Sequence, residues 1–158
     1  ALDLSEERLQ RARDLGAQAA LNPVEVDLRE ELARLHGTAQ LLNREAVGTD
    51  AYIDAAGAPN ILGDVIGMAK FHARLVVTAA YMRPIEIPLG QMLTSEMSIT
   101  TAMGYPTEMP EVVAALPRLQ DKLRPMISHH FPLDRISEAL DAARDPSSAK
   151  VMVDIGPA

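Results

Sequence analysis

The middle of the chain alternates between short apolar runs and a helical pattern, and this alternation constrains the fold more than any other feature. Residues 49–57 (TDAYIDAAG) read as a strand, and residues 59–71 (PNILGDVIGMAKF) read as a helix with Pro59 in its first turn. Residues 74–81 (RLVVTAAY) read as a strand without a polar face, which is typical of a sheet that is covered on both sides. The order strand, helix, strand predicts a parallel sheet with right-handed crossovers.

Two helical patterns and two short extended segments precede this region. Ser5 can accept a hydrogen bond from a free backbone amide, so we predict a helix that begins after it and ends at Gly16. A second helix is predicted over residues 27–37, where leucines recur on one face. Residues 38–48 show no clear period, and we expect them to be irregular or partly helical. The extended segments are residues 1–4 and residues 17–23.

The pattern changes after one more predicted strand, which lies in residues 97–106 (MSITTAMGYP). We place a domain boundary near Gly104 because the strand and helix alternation is less regular beyond it. The elements predicted there are a helix over residues 106–123 interrupted at Pro117, an extended segment over 127–133, a helix capped by Asp134 and a last strand over 149–155.

Composition and charge exclude several classes of function. The formal net charge is −7 and the lysine and arginine residues are scattered, so the chain lacks the basic surface that nucleic acids require. No apolar stretch approaches the roughly 20 residues that cross a bilayer, so we expect no membrane association. The absence of cysteine leaves no disulfide and no thiolate ligand for zinc, and it agrees with a reducing compartment. We therefore expect a cytoplasmic protein.

The first residues of the chain look like part of a nucleotide-binding unit. An extended segment ends at the acidic residue Asp3, and a capped helix with a glycine stop follows it. In such units a first strand and a glycine-rich turn precede the acidic residue by about 20 residues. We therefore expect this chain to be the downstream part of a longer protein.

Six segments, taken in order, resemble the C-terminal half of the medium-chain dehydrogenases, and most closely the zinc-containing alcohol, sorbitol and threonine dehydrogenase branch. The resemblance runs from Ala1 to Ile155. It implies an α/β fold in which residues 1–104 form a partial NAD-binding Rossmann domain, a doubly wound parallel sheet lacking its first strand and glycine-rich turn. Residues 105–158 would return to the catalytic domain. The six segments are ALDLSEERLQRARDLGA, GTDAYIDAAGAP, ARLVVTAAY, MSITTAMGYP, ISHHFPLDRISEALDAA and AKVMVDI.

The resemblance implies three charged cofactor ligands. Asp3 matches the acidic residue that hydrogen-bonds the adenosine ribose hydroxyls, and a carboxylate there would repel a 2′-phosphate, so NAD is favoured over NADP. Arg8 matches a basic position near the same ribose and would partly offset that preference. Lys150 matches a basic residue that reaches the cofactor pyrophosphate.

The resemblance also implies that residues after three strands line the cofactor. The family usually has glycine where this chain has Ala79, so the approach of the backbone to the nicotinamide ring would differ here. The implied positions are Ala55, Ala56 and Ala58 on the adenosine side, Thr78, Ala79 and Ala80 under the nicotinamide, and Ala102 and Met103 beside the carboxamide.

The activity implied by the resemblance is hydride transfer between an alcohol and NAD, with zinc polarising the alcohol or carbonyl oxygen of a small-molecule substrate. The zinc ligands and the proton relay of this family lie in the N-terminal catalytic domain. We therefore expect no catalytic or metal-ligating residue in this chain, and no activity from this segment alone. Residues 98–103 resemble the edge strand through which two copies pair, so we expect a homo-oligomer, most simply a dimer.

Two other functions stay open. One is a zinc-free quinone or enoyl reductase of the same superfamily, which usually prefers NADPH. The negative charge of Asp3 argues against this function, because it would repel the 2′-phosphate of NADPH. The other is a non-catalytic module that dimerises through a sheet edge. Outside the implied cofactor positions, Asp54 reads as a structural acid at the end of a strand. The adjacent His129 and His130 would point to opposite faces of a strand, which argues against a shared metal.

Overall fold

The computed structural model describes residues 1–105 and 107–156, and the chain divides into two compact units. The first unit combines Ala1–Val26 with Thr107–Ala158, and the second is Asp27–Pro106. Among the described residues, no helix is both long enough and apolar enough to cross a membrane.

A three-stranded parallel sheet organises the second unit, as the alternation of strand and helix predicts. Its strands are β3 (Ala51–Asp54), β4 (Arg74–Val77) and β5 (Ser98–Thr101), with β4 in the centre. Asp54 lies beside Val77, and Val77 lies beside Thr101, so the carboxyl ends of all three strands meet at one edge. The loops that follow the strands therefore share that edge of the sheet.

Two helices of the second unit pack with one face of this sheet to form its core. They are α3 (Ile61–Met68) and α4 (Leu89–Ser95), the second of which the sequence did not predict. Ile66 and Leu75 are completely buried in this cluster. On the opposite face Ile53 is 73% exposed, so the described residues leave this part of that face open, whereas the apolar run in β4 had predicted cover on both sides. The helix α3 begins after Asn60, so Pro59 lies just before the helix and not in its first turn as we predicted.

Residues 38–48, which we expected to be irregular or partly helical, contain an antiparallel hairpin, so that expectation was wrong. Its strands are β1 (Thr38–Leu41) and β2 (Arg44–Val47), and they follow the predicted helix α2 (Leu28–His36). Leu42 adopts a positive φ of 51° in the two-residue turn, which a tight hairpin requires. Arg44 Nη1 donates a hydrogen bond of 3.1 Å to the carbonyl of Gly67 at the end of α3, which anchors the hairpin. Four-residue strands leave too short a pattern for the period to be read from sequence.

The first unit contains α1 (Glu6–Asp14), α5 (Met109–Leu123), α6 (Ile136–Arg144) and the parallel strands β6 (Ile127–Pro132) and β7 (Lys150–Asp154). Ser5 caps α1 by accepting a hydrogen bond from the amide of Arg8, as predicted. The extended segments near the chain start meet in a single parallel bridge between Leu2 and Leu21.

Two details of the first unit correct the sequence prediction. The helix α5 continues through Pro117, where we expected an interruption. A proline removes one amide donor, and the carbonyl of Val113 that loses it lies on an exposed part of the helix where water can bind. Asp134 does not cap α6, because a 3₁₀ turn over Leu133–Arg135 precedes the helix and its N-cap is Arg135.

The compact units divide the chain differently from the two functional domains that we predicted for residues 1–104 and 105–158. The first 26 residues group with the C-terminal segment because α1 lies beside it. Arg8 and Ala12 of α1 line the same cleft as Met126 and Ser148. The functional boundary near Gly104 stays a prediction.

Candidate functional site

The carboxyl edge of the parallel sheet brings together three groups of residues that the sequence analysis selected. Ala55, Ala56 and Ala58 follow β3, Thr78, Ala79 and Ala80 follow β4, and Ala102 and Met103 follow β5. The amide of Ala102 donates to the carbonyl of Val77 over 3.0 Å, so the third loop leaves the sheet beside the second. Ligands of open parallel sheets bind outside this edge. The three loops therefore form the candidate site of the second unit.

A buried carboxylate fixes the first of these loops. The side chain of Asp54 is only 3% exposed at the end of β3. Its Oδ1 accepts hydrogen bonds from the amides of Ala56 (3.0 Å) and Gly57 (2.9 Å), and its Oδ2 accepts one of 2.6 Å from the hydroxyl of Tyr81. Buried charged groups persist when hydrogen bonds replace the lost water, and Asp54 has three such bonds.

The main chain of Asp54 ties the second loop to the same place. Its carbonyl oxygen accepts hydrogen bonds from the amide of Thr78 (2.8 Å), from the hydroxyl of Thr78 (3.0 Å) and from the amide of Ala79 (3.2 Å). The hydroxyl of Tyr81 also lies 3.3 Å from the carbonyl of Ala58. The loops after β3 and β4 are thus joined through both the backbone and a side chain.

The charge states of Asp54 and Tyr81 follow from these contacts. Burial alone would raise the pKa of Asp54, but the hydrogen bonds from Gly57, Tyr81 and Ala56 together outweigh it and hold that pKa below its ordinary value. Burial and the bond to Asp54 raise the pKa of Tyr81 to about 12. At neutral pH the contact is therefore a charge-assisted bond from a neutral phenol to a carboxylate.

We expect ionisation of Tyr81 to destabilise the folded protein at alkaline pH. A phenol titrates near pH ~10 in an unfolded chain, so the raised pKa of about 12 contributes stability that is complete below pH ~10 and lost as the pH rises toward 12. Denaturation by urea at several pH values should show a fall in the free energy of unfolding above pH ~10. Tyr81→Phe should make this fall shallower, and an identical pH dependence for the variant would contradict the expectation.

Gly57 allows the first two loops to approach closely. Its φ is +70°, a backbone conformation that residues other than glycine rarely adopt. A Cβ at this position would lie 3.1 Å from the Cβ of Ala79 and 3.4 Å from the carbonyl oxygen of Ala80. The methyl group of Ala79, which stands where the resemblance implies glycine, therefore packs directly on the Gly57 backbone. The glycine that allows the backbones of the two loops to lie close together is therefore Gly57, on the first loop.

Gly57→Ala should lower the free energy of unfolding by about 1–3 kcal/mol, because it combines backbone strain at a positive φ with a close contact of 3.1 Å to the Cβ of Ala79. Gly63→Ala is the matched control: Gly63 lies within α3 and a Cβ there would meet nothing within 4 Å. The control should raise stability by up to about 1 kcal/mol through helix propensity. Urea denaturation measures both, and equal effects of the two substitutions would contradict this reading.

Asp3 and Arg8, two of the predicted charged ligands, form an ion pair in the first unit. Oδ1 of Asp3 accepts a hydrogen bond of 3.0 Å from the amide of Ser5, and Oδ2 lies 3.7 Å from Nη1 of Arg8. The side chain of Asp3 is 33% exposed, and that of Arg8 is 46% exposed. The outer oxygen of Asp3 is loosely held, so it can accept further hydrogen bonds from a diol.

Lys150, the third predicted charged ligand, is the exposed first residue of β7. A shallow cleft of about 350 Å³ lies nearby in the same unit, and Arg8 and Arg11 border it together with Ser148 and Ala149. Ser148 and Ala149, which precede Lys150, therefore face the same cleft as the positively charged side chains of Arg8 and Arg11.

Metal ligation has no counterpart in the part of the chain that the structure describes. Over residues 1–105 and 107–156, no group of three or more His, Asp or Glu side chains is placed to hold a metal ion. Nδ1 of His129 lies 2.9 Å from the hydroxyl of Ser128, and His130 contacts Asp154, so the two histidines have different partners.

Tyr81 is the residue of this site that sequence reasoning missed. The sequence contained a signal for this pair: Asp54 is the last residue of β3, and Tyr81 lies four positions after the end of β4, the next strand of the sheet. The pairing became visible only with the register of β3 and β4.

Comparisons with known proteins point to one family. The family model described as zinc-binding dehydrogenase matches residues 1–118. L-threonine 3-dehydrogenase from Symbiobacterium thermophilum is 26% identical over 157 residues, which is 97% of this chain and 42% of that protein. Sorbitol dehydrogenase from Gallus gallus is 23% identical over 158 residues, or 98% of this chain and 42% of its own length. The chain thus spans less than half the length of these relatives.

Solved structures share the fold. One is a short chain alcohol dehydrogenase from E. coli CFT073 complexed with NADH, with a TM-score of 0.80, 24% identity and coverage of 98% of this chain and 43% of that one. Another is the 2R,3R-butanediol dehydrogenase from Bacillus subtilis, with a TM-score of 0.80, 23% identity and coverage of 99% and 43%. The fold is therefore that of the C-terminal, Rossmann-like coenzyme-binding half of such structures, which confirms the fold class that the sequence predicted.

Proposed function

The chain belongs to the zinc-binding dehydrogenase family, and we propose that it forms the coenzyme-binding part of an NAD-dependent dehydrogenase of alcohols or polyols. The observation that carries this proposal is the set of three loops at the carboxyl edge of the parallel sheet. The residues on those loops are mostly alanine and glycine, so a flat ligand can lie close to the backbone.

The residues present fit a dinucleotide in two respects. The loops after β3 and β4 offer small side chains on a backbone that Asp54 holds in place. Asp3 offers an exposed carboxylate oxygen that can accept hydrogen bonds from a ribose diol. We propose that Ala55, Ala56 and Ala58 line the adenosine side, that Thr78, Ala79 and Ala80 lie under the nicotinamide, and that Ala102 and Met103 flank its carboxamide.

The charges favour NAD over NADP in this proposal. The carboxylate of Asp3 would repel the 2′-phosphate of NADP, whereas it would bind the free 2′-hydroxyl of NAD. Lys150 would attract the pyrophosphate from the start of β7. The bound nicotinamide supplies the hydride acceptor, and the residues of this chain bind and orient it.

Zinc does not fit the side chains that the structure describes. The described segments hold no set of ligands for it, so no step of the proposal involves the metal. A zinc ion in the whole protein would be held by residues outside these 158.

We further propose a cytoplasmic homodimer. Among the described residues, the strand β5 pairs with β4 alone, and Ser98, Thr100 and Thr101 are exposed. A second copy could pair along residues 98–103 by main-chain hydrogen bonds, which would also protect the sheet edge.

A zinc-free quinone or enoyl reductase that uses NADPH is the second candidate. The observation in its favour is Arg8, whose guanidinium lies 3.7 Å from the Asp3 carboxylate and could pair with a 2′-phosphate. The two candidates differ in whether the negative charge of Asp3 or the positive charge of Arg8 dominates near the 2′ position of the cofactor. Removal of the Asp3 carboxylate tests which charge dominates.

The test is a comparison of reactions by the whole protein. Oxidation of sorbitol, threonine and 2,3-butanediol with NAD should change the nicotinamide absorbance, while quinones with NADPH should give little change. Turnover of quinones with NADPH and no oxidation of any alcohol would overturn the first proposal in favour of the second.

A further inference from the structure

We propose that the hydrogen bond between Tyr81 and Asp54 is a positioning device that sets the separation of the loops after β3 and β4 for the whole dinucleotide. The inference rests on the proposed function, because those loops are the proposed adenosine and nicotinamide walls. Tyr81 itself is a positioning residue, since it acts through Asp54 and the backbone.

The geometry shows why Tyr81 has this position. Its hydroxyl reaches Oδ2 of Asp54 over 2.6 Å and lies 3.3 Å from the carbonyl of Ala58, so one atom contacts both ends of the first loop. Tyr81 also follows directly after the second loop, residues 78–80. A bond from this hydroxyl therefore links the two walls, although 27 residues separate Tyr81 from Asp54.

The loops have few other side chains that could fix their separation. Residues 55–58 are three alanines and a glycine, and residues 78–80 are a threonine and two alanines. Thr78 bonds to the carbonyl of Asp54, which is the root of the first loop and not its outer part. The contact between Gly57 and Ala79 limits how close the loops come, and the Tyr81 bond limits how far they part.

The hydrogen bond between Tyr81 and Asp54 should keep the same geometry throughout the neutral pH range. The low pKa of Asp54 and the pKa of about 12 for Tyr81 keep the acceptor charged and the donor protonated across the neutral range. The hydroxyl is partly buried, so water competes weakly for it.

The experiment replaces Tyr81 by phenylalanine in the whole protein and measures the Kd of NADH and of AMP by equilibrium titration. NADH spans both walls, so its Kd should rise about tenfold, because the loosened loops must be brought to the binding separation when NADH binds. AMP contacts only the adenosine wall, so its Kd should change less than about twofold.

Tyr52→Phe is the matched control. Tyr52 lies on β3 of the same sheet, and its buried hydroxyl has no hydrogen-bond partner among the described residues. Removal of that hydroxyl should leave the ratio of the two Kd values unchanged. A general loss of packing in the unit would instead weaken NADH and AMP together in Tyr81→Phe.

Amide hydrogen exchange gives a second measurement that needs no cofactor. The amides of Thr78 and Ala79, which donate across to the carbonyl of Asp54, should exchange faster in Tyr81→Phe than in the wild type or in Tyr52→Phe. Asp54→Asn can keep its oxygen toward the amides of Ala56 and Gly57 and donate from Nδ2 to the hydroxyl of Tyr81, so a neutral link between the loops persists. This variant should therefore raise the Kd of NADH by less than Tyr81→Phe does.

The outcomes separate the inference from the proposed function. A wild-type protein that binds no NADH overturns the proposed function and the inference with it. Normal binding by the wild type, with unchanged or equally weakened NADH and AMP in Tyr81→Phe, overturns the inference alone. A selective loss of NADH affinity with faster exchange at Thr78 and Ala79 supports it.

Discussion

Asp54→Ala is expected to lower the free energy of unfolding by about 3 kcal/mol or more, because it leaves buried donors without an acceptor. The amides of Ala56 and Gly57 and the hydroxyl of Tyr81 all donate to this carboxylate. The substitution also empties a space beside the core of the second unit, since Asp54 is 3% exposed. Urea denaturation at neutral pH measures the loss.

Asp64→Ala is the control for this expectation. Asp64 is exposed on α3 in the same unit, and within the described part of the chain its side chain accepts one hydrogen bond, of 2.7 Å from Asn60. Its removal should change stability far less, because water replaces the exposed contact. If the two substitutions cost the same free energy, the Asp54 network does not hold the loops together.

Acid should reduce the contribution of Asp54 in a defined direction. Its folded-state pKa lies below the ordinary value, so its contribution is complete above the unfolded pKa of about 3.9 and is lost as the pH falls through the folded value. Asp54→Ala should therefore show a weaker loss of stability on acidification than the wild type.

Asp3→Asn is expected to shift the ratio of NADPH to NADH affinity toward NADPH by about 100-fold. A unit charge at about 4 Å from a phosphate contributes about 4 kcal/mol at an effective dielectric constant near 20, and screening reduces that figure. The asparagine oxygen can still accept the hydrogen bond from the amide of Ser5, so the start of α1 should stay intact. Fluorescence titration with both cofactors measures the two affinities.

Asp14→Asn gives the same change of charge at the other end of α1. Asp14 is exposed and bonds only to Gln10 among the described side chains, so its substitution should leave the cofactor ratio unchanged. Equal ratios in Asp3→Asn and Asp14→Asn would mean that Asp3 does not face the adenosine ribose.

The sequence predicted the parallel sheet because a helical pattern separates the strand patterns of residues 49–57 and 74–81, and a connection of this kind joins parallel strands. It also predicted α1, where Ser5 caps the helix and Gly16 adopts a positive φ of 103° just after it. These features depend on residues that are neighbours along the chain. Local chemistry is therefore enough to find them.

Features that depend on distant partners could not be read in the same way. The hairpin of residues 38–47 is anchored by Arg44 on the end of α3, which no local pattern reveals. The bond between Tyr81 and Asp54 depends on the register of two strands. The shared cleft of Arg8 and Ser148 depends on how α1 packs beside the C-terminal segment.

The central claim is that NADH binds at the carboxyl edge of the parallel sheet, and amide hydrogen exchange of the whole protein with and without NADH tests it most directly. We predict slower exchange in residues 54–58, 78–81 and 102–103 when NADH is bound, with no change in the hairpin of residues 38–47. Protection confined to other segments, or no protection at saturating NADH, would contradict the claim.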